Sequence, residues 1–405
     1  MKKSLCIYFE IHQPVRLRTY HFFDIGKRRD YFDDYANRSN IRTIAKKSYI
    51  PANDLFLELN KKYGNKLKAG YSISGTAIEQ LELHAPEVLE SFKALNATGC
   101  VEFLAETYAH SLASLSETDE FEHQTKLHSD KIEALFGMRP KVFRNSSLIY
   151  SDKIGERVGK MGYRGMITDG AKHILGWRSP NFLYTNPVYP RLKLLLKNSR
   201  LSDDISIRFS DRNWQEWPLT ADKYVNWIEN SLKESDVVNI FMNYEVFGKH
   251  HSAESGIFDF LYYLTEKILS ETEIDILMPS EALERYQPVA PLPVPNPISW
   301  ADEEKDIANW LGNELQIEAF EELYKTYPMV KVLNDPILNR DFLRLQASDH
   351  FYYMRTKLLS MPDKAHIHTS PYDSPYEAFI NYMNVLSDFI SRIKETKENN
   401  TNKIS

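Results

Sequence analysis

The chain has 405 residues, with 56 acidic and 50 basic side chains and a formal net charge of −6. This slightly acidic balance gives no reason to expect a nucleic-acid partner. A hydrophobic share of 42% and an aromatic share of 13% exclude wholesale disorder, and two cysteines, Cys6 and Cys100, are too few for a disulfide framework or a zinc site of their own.

The start of the chain predicts a buried strand. Met1–Lys3 resembles the charged beginning of a signal peptide, but the apolar run that follows, Leu5–Phe9, is short and ends at Glu10. A secretory apolar region takes about 7–15 residues and a membrane-spanning helix about 20. We therefore expect a cytoplasmic protein with no membrane segment.

Short β-branched and apolar runs recur along the first two thirds of the chain and predict strands. Several are almost continuously apolar, as strands buried on both faces are. The runs are Leu5–Ile11, Leu67–Ser72, Val101–Ala105, Val142–Asn145, Gly165–Thr168, Leu192–Leu196, Val237–Tyr244 and Ile274–Met278. Helical patterns lie between them, for example over Ala77–Leu95 and Asp152–Met161.

This alternation of strand and helix predicts an α/β fold with a parallel sheet. Seven or eight units over about 285 residues fit a closed or nearly closed barrel of the usual ~250 residues. An open doubly wound sheet is the alternative. No glycine-rich dinucleotide fingerprint follows the first strand, which disfavours that alternative.

A cluster of five prolines within residues 288–297 marks a change of pattern, because proline fixes φ and removes the amide donor. We predict a barrel over 1–287, a proline-rich linker over 288–298, a helical region packed on the barrel over 299–393 and a frayed tail over 394–405. The helical region is predicted to hold amphipathic helices over Ala301–Lys325, Asp341–Ser360 and Ser374–Thr396.

The end of the first strand carries polar residues on one face. Tyr8, Glu10 and His12 share that face because side chains alternate along a strand, and Pro14 then stops sheet pairing. Barrel enzymes build their active sites at the C-terminal ends of strands. The alternative for these residues is a hydrogen-bonded structural pair.

The tripeptide His12–Pro14 resembles the opening signature of glycoside hydrolase family 57, and further segments resemble its α-amylase branch in the same order. These segments are Gly75–Gln80, Val101–Tyr108, Phe143–Tyr150, Phe241–Gly248, Ser299–Asp302 and Ser348–Tyr353. The resemblance spans most of the chain. It implies an incomplete TIM-like (β/α)7 barrel followed by a C-terminal helical region, in a retaining enzyme that acts on α-glucans such as starch or glycogen.

Retention of configuration needs two carboxyl groups about 5–5.5 Å apart, one as nucleophile and one as acid/base. In the family pattern Phe-Arg-Asn-Thr-Glu-Leu-Ile-Tyr the nucleophile Glu corresponds to Ser147. In the pattern Phe-Met-Asp-Tyr-Glu-Thr-Phe-Gly the acid/base Asp corresponds to Asn243. The resemblance therefore implies an α-amylase-like homologue that has both catalytic carboxylates replaced.

Further residues are expected to contact a sugar ligand, because they lie near strand ends, match the family segments or offer aromatic rings to the apolar faces of sugars. They are Glu10, His12, Glu102, His110, Asp169, Trp177, Glu245, Trp300, Asp349 and Tyr352. Trp214, Trp217 and Trp310 also lie outside the strand runs.

Histidine pairs raise the question of a metal. The pairs are His250–His251, His366 with His368, and His123 with His128. A zinc site needs three or four ligands. The first two pairs lack a convincing carboxylate partner, and His123 with His128 does not have the i, i+4 spacing of a helical pair. We expect surface or structural histidines, with no metal and no cofactor. No Gly-x-Ser-x-Gly elbow is present in the sequence.

Three functions remain open from the sequence. The first is an α-glucan-binding homologue that is inactive or strongly impaired. The second is an active carbohydrate hydrolase or transferase with relocated carboxylates, Glu245 being the leading candidate. The third is an interaction scaffold with an inert barrel. The sequence leaves the linkage, the chain length of the ligand and the oligomeric state undetermined.

Overall fold

The computed structural model describes residues 2–357 and 370–404. A curled, mainly parallel sheet forms the first three quarters of it. Within the described residues the strands are β1 (Ser4–Ile11), β2 (Ala69–Ile73), β3 (Val101–Phe103), β4 (Val142–Arg144), β5 (Gly165–Asp169), β6 (Tyr184–Thr185), β7 (Lys193–Lys197), β8 (Val237–Asn243), β9 (Asp275–Ile276) and β10 (Ala290–Pro291). All eight predicted strands are present, while β6 and β10 were not predicted.

The main strands surround one interior. One sheet has the order β3-β2-β1-β8, with β9 added on β1, and the other has the order β10-β6-β7-β5-β4. A parallel bridge from Ala105 to Phe143 connects β3 to β4. Between β7 and β8 the described residues form no strand ladder, so the barrel is incomplete at that seam. Seven parallel strands, namely β1–β5, β7 and β8 without β6, confirm the predicted incomplete barrel.

The barrel strands are buried on both faces, which explains their continuous apolar character. All eight residues of β1 are buried. The interior is filled by a cluster that includes Tyr8, Ile167, Leu195 and Phe241. A larger cluster packs the outer face of the β1 sheet against helices, and a third joins the second sheet to the C-terminal region.

Helices cover the sheet and form the C-terminal region. Within the described residues they are α1 (Asp34–Ile44), α2 (Ile50–Tyr63), α3 (Gly75–His84), α4 (Pro86–Ala97), α5 (Glu120–Phe136), α6 (Asp152–Lys160), α7 (Lys172–Leu175), α8 (Ser199–Ser206), α9 (Ala221–Leu232), α10 (Ile257–Glu271), α11 (Pro279–Arg285), α12 (Ala308–Leu311), α13 (Glu314–Leu333), α14 (Pro336–Leu345), α15 (Ser348–Tyr353) and α16 (Pro375–Ile404). A π-helical turn joins α1 to α2. None of the described helices is both long and apolar enough to cross a membrane.

The predicted helix Ala77–Leu95 is wrong as a single element. It is divided into α3 and α4 at Ala85, whose φ of −150° and ψ of 56° lie outside the helical region. The cause is Pro86, because proline disfavours the helical conformation of the residue before it.

The C-terminal region also differs in detail from its prediction. Residues 301–307 are irregular, so the predicted helix Ala301–Lys325 corresponds to α12 and α13. The helix predicted over Asp341–Ser360 corresponds to α14 and α15, and its last three residues, like His366 and His368, lie outside the described residues. Helix α16 continues to Ile404, through most of the segment 394–405 that is predicted to be a frayed tail.

The proline-rich segment is ordered against the barrel. It contributes the two-residue edge strand β10, which is where a sheet tolerates proline. Leu292, Val294 and Ile298 are buried in the cluster shared by the second sheet and the helical region. This segment therefore packs as part of the core and leads the chain directly to Trp300 above the barrel.

Candidate active site

A small cavity lies where the C-terminal ends of β1, β4 and β8 meet α15. It is lined by Glu10, His110, Ser147, Asn243, Trp300, Trp310, Ser348, Asp349 and Tyr352. Its volume of about 40 Å³ has room for roughly three water molecules. Seven of the expected site residues line it, which are Glu10, His110, Ser147, Asn243, Trp300, Asp349 and Tyr352.

Ser147 and Asn243, the two residues expected at the family's catalytic positions, share this cavity. Asn243 is the last residue of β8, and the parallel register pairs it with Glu10 on β1. Ser147 lies just beyond β4 and is 5% exposed. Within the described part of the chain, neither the Asn243 amide nor the Ser147 hydroxyl forms a hydrogen bond. Both polar groups are therefore available to a ligand.

The backbone around the cavity is held in an unusual conformation. His110, Ser147 and Leu148 have φ values of 53°, 53° and 54°, in the left-handed region that non-glycine residues rarely adopt. Such strain costs on the order of 1–3 kcal/mol per residue and clusters at functional sites. The positive φ values therefore make the turns after β3 and β4 candidates for a functional role.

A buried arginine contacts two carboxylates at the base of the candidate site. Arg144 ends β4 and is completely buried. Its guanidinium forms an ion pair with Glu10, and its Nη1 lies 3.2 Å from both Glu106 Oε2 and His110 Nδ1. On its other side it lies over the Phe241 ring, 5.5 Å from the centroid. Arg144 thus holds two carboxylates from two strand ends in fixed positions.

These contacts keep both carboxylates ionised. Burial by itself would raise the pKa of Glu10, but Arg144 and His110 outweigh it and lower that pKa. Burial likewise opposes ionisation of Glu106, but the neighbouring His110, Arg144 and His128 lower its pKa to about 2. Ser72 Oγ also donates to Glu106 Oε1 at 2.7 Å. Neither group is poised to donate a proton near neutral pH.

A histidine links the first strand to the helical region. His12 Nε2 lies 2.8 Å from Asp349 Oδ2, and its Nδ1 lies 2.7 Å from Ser74 Oγ. Burial disfavours the charged ring, but the Asp349 carboxylate and further carboxylates outweigh it and raise the pKa of His12. The His12 ring stacks on His110 with centroids 4.1 Å apart.

The chain Ser74–His12–Asp349 has the residue types of a serine-hydrolase triad. Ser74, however, is fully buried and caps α3 by accepting from the Ala77 amide. A substrate carbonyl has no access to such a hydroxyl. This arrangement therefore orients His12 and Asp349, and it does not form a nucleophilic site.

Aromatic rings form the wall contributed by the C-terminal region. The Trp310 ring lies 6.3 Å from Trp300 and 5.8 Å from Tyr352, and Arg355 covers the Tyr352 ring at 3.8 Å. The Trp300 amide donates to Ser147 O at 3.2 Å. The wall and the strained turn are therefore directly joined.

Five of the twelve expected site residues do not line the cavity, and His12, described above, is one of them. Glu102 is level with Tyr8 in the strand register, one layer below Glu10, and accepts from the Ser280 amide at 2.8 Å. Trp177 follows α7 and is 95% exposed. Asp169 is buried at the end of β5 and contacts Ser199, while Lys305 Nζ lies 3.9 Å from it.

Glu245 is also turned away from the cavity. Its Oε1 accepts from Gln13 Nε2 at 2.9 Å and from the Tyr49 hydroxyl. The carboxylate is 4% exposed. Glu245 therefore connects the segment after β8 to Gln13 beyond β1 and to Tyr49 in the π-helical turn between α1 and α2.

Sequence reasoning missed Arg144 and Glu106 as site residues. Both fall inside the segments that carried the family resemblance, so the period-two alternation from Glu102 through Leu104 to Glu106 could have pointed to Glu106. Ser348 and Trp310 also line the cavity. Across the described residues, no group of three or more His, Cys, Asp or Glu side chains is arranged to hold a metal ion.

The lowered pKa of Glu106 predicts a pH effect on stability. Its folded value of about 2 lies below its ordinary value of 4.5, so its contribution is complete above pH 4.5 and is lost as the pH falls toward 2. Between about pH 6 and pH 3, wild type should therefore lose about 2 kcal/mol more unfolding free energy than Glu106→Gln. Urea unfolding at the two pH values measures this difference.

The control for this experiment is Glu90→Gln, which changes an exposed carboxylate on α4. This variant should lose stability in parallel with wild type. If Glu106→Gln loses as much unfolding free energy as wild type when the pH is lowered, the Glu106 carboxylate is not held ionised by its neighbours.

Comparisons with known proteins agree with this geometry. The model of glycosyl hydrolase family 57 matches residues 6–295. A curated protein of Methanocaldococcus jannaschii named "Putative alpha-amylase" is 41% identical over 403 residues, covering 96% of this chain and 84% of that protein.

Solved structures share the fold. The 4-alpha-glucanotransferase from Thermococcus litoralis has a TM-score of 0.65 at 15% identity over 87% of this chain, which spans 56% of that protein. The alpha-amylase from Thermotoga maritima has a TM-score of 0.64 at 13% identity, over 98% of this chain and 94% of its own.

Proposed function

Because this chain belongs to glycosyl hydrolase family 57, we propose that it binds an α-glucan oligosaccharide and has lost, wholly or very largely, the ability to hydrolyse it. The observation that supports this proposal is that Ser147 and Asn243, which the family resemblance aligns with the two catalytic positions, line one cavity. The fold is that of the family, and Trp300, Trp310 and Tyr352 form an aromatic wall beside the pair.

The chemistry of the pair explains the loss. A serine hydroxyl needs a general base to become a nucleophile, and Ser147 has no hydrogen-bonded base among the described residues. An amide such as that of Asn243 has no proton to give to a leaving oxygen near pH 7. Loss of general acid catalysis alone costs ~10²–10⁴-fold in rate.

The alternative of relocated catalytic carboxylates has weak support. Glu10 lines the cavity, but its pairing with Arg144 keeps it ionised and bound. Asp349 lines it too and is held by His12. Glu245 is occupied by Gln13 and Tyr49 outside the cavity.

The cavity must widen before a sugar can bind. It has room for roughly three water molecules, which is too small for a glucosyl ring. Trp300 and Asn243 are the two half-buried lining residues, and the other seven are buried. We therefore propose that a sugar ring enters beside Trp300, moves this side chain outward and packs on its indole face.

The binding test is a maltooligosaccharide titration by calorimetry, with a sensitive hydrolysis assay alongside. Wild type should bind and show no detectable turnover. Trp300→Ala should bind about tenfold more weakly, because it removes the stacking face. Trp177→Ala, which changes the exposed indole outside the cavity, should leave the affinity unchanged.

Two results would contradict this proposal. Absence of maltooligosaccharide binding by wild type would remove the ligand class and favour the scaffold alternative. If Trp300→Ala and Trp177→Ala lose the same amount of maltooligosaccharide affinity, the sugar binds to a surface other than this cavity.

A further inference from the structure

A second cavity, of about 410 Å³, lies between α5 of the barrel and helices α13 and α14. Its volume falls within the range of small-molecule sites, about 300–1,000 Å³. The Tyr327 and Phe342 rings form one wall and stack with centroids 5.9 Å apart. Glu120, the first residue of α5, lines the cavity although it is only 2% exposed.

Among the described residues, the hydrogen bonds to the Glu120 carboxylate are all on one oxygen. Gln124 Nε2 and Gln346 Nε2 donate to Oε1 at 2.9 and 2.8 Å. Among the described residues, Oε2 accepts no hydrogen bond and Glu120 forms no ion pair. A carboxylate on a side chain this buried has little water around it, so a charged donor supplied from the cavity would be favourable.

The other charged groups around this cavity are paired. Each lysine or arginine beside it contacts a carboxylate, and the pairs are Lys331–Asp119, Arg344–Glu79 at 3.1 Å and Arg340–Asp341 at 2.9 Å. His123 lies exposed at the rim. Within residues 2–357 and 370–404, Glu120 is therefore the one lining carboxylate that has no cationic partner.

We propose that this cavity binds a small alkylammonium ion. The ammonium group offers three donors, one of which would satisfy Glu120 Oε2. The faces of aromatic rings such as Tyr327 and Phe342 attract cations, and their apolar surface suits an alkyl chain. A hard metal ion would need several oxygen ligands, and the described residues offer no such group here.

The experiment titrates n-butylammonium chloride into the full chain at constant ionic strength, followed by calorimetry or ligand-observed NMR. Butylammonium should bind saturably, and n-butanol, its neutral analogue, should bind at least about tenfold more weakly. Glu120→Gln should weaken butylammonium binding at least about tenfold. Its new amide keeps an acceptor oxygen for Gln124 and Gln346, so the fold should be retained.

A second variant leaves Glu120 untouched. Asn339→Trp places a bulky ring on a half-buried lining residue and should also weaken butylammonium binding. Ser147→Ala, in the other cavity, should have no effect. The proposal is overturned by an unchanged affinity in Glu120→Gln, by equal binding of n-butanol, or by no saturable binding of butylammonium in the millimolar range. It does not depend on glucan binding.

Discussion

The double variant Ser147→Glu, Asn243→Asp is expected to raise glucan hydrolysis at least about 100-fold above that of the natural chain. It places a nucleophile and an acid/base together at the two positions proposed to match the family's catalytic pair. Both positions line one cavity and neither side chain is engaged by a described residue. Turnover of maltooligosaccharides, measured by release of reducing ends, provides the test.

The single variants are the matched controls. Ser147→Glu alone lacks the proton donor, and Asn243→Asp alone lacks the nucleophile, so each should stay far below the double variant. Affinity for maltooligosaccharides is measured in all variants. A folded double variant that binds the sugar and gains no turnover would show that the site has lost more than its two carboxylates.

The Arg144→Met variant is expected to lose about 3–5 kcal/mol of unfolding free energy, because it leaves buried charge unpaired. Arg144 is completely buried and contacts both Glu10 and Glu106 at the floor of the site. Methionine has a similar length but offers neither charge nor donors. Urea or guanidinium unfolding at pH 7 measures the change.

The control is Arg139→Met, which removes an arginine that also contacts two carboxylates, Asp130 and Glu133. That side chain is 51% exposed, so its ion pairs are screened by water and the loss should stay below about 1 kcal/mol. If the two variants lose similar amounts of unfolding free energy, the buried ion pairs of Arg144 stabilise the protein no more than the exposed ion pairs of Arg139.

The barrel was predictable because its strands are short, buried on both faces and separated by helical patterns. β1 extends from Ser4 to Ile11 where Leu5–Ile11 was predicted. The break at Pro86 was also present in the sequence, since proline constrains the residue before it. The helical pattern across it was misread because the apolar stripe continues on both sides.

Part of the candidate site could be predicted from the family segments and from polar residues near strand ends. Ser147, Asn243, Glu10 and His110 do share one cavity. Glu102 was expected at the site but does not line the cavity, because its position in the strand register is level with Tyr8, one layer below Glu10. Depth in a barrel depends on the stagger between strands.

By itself, the sequence determined the fold class and the absence of carboxylates at two positions, because both follow from local pattern and residue identity. Only the tertiary structure decided that Arg144 binds two carboxylates and that Glu245 faces away from the cavity. It alone showed the cavity beside Glu120. These features join residues far apart in the chain, and their geometry depends on how strands and helices pack.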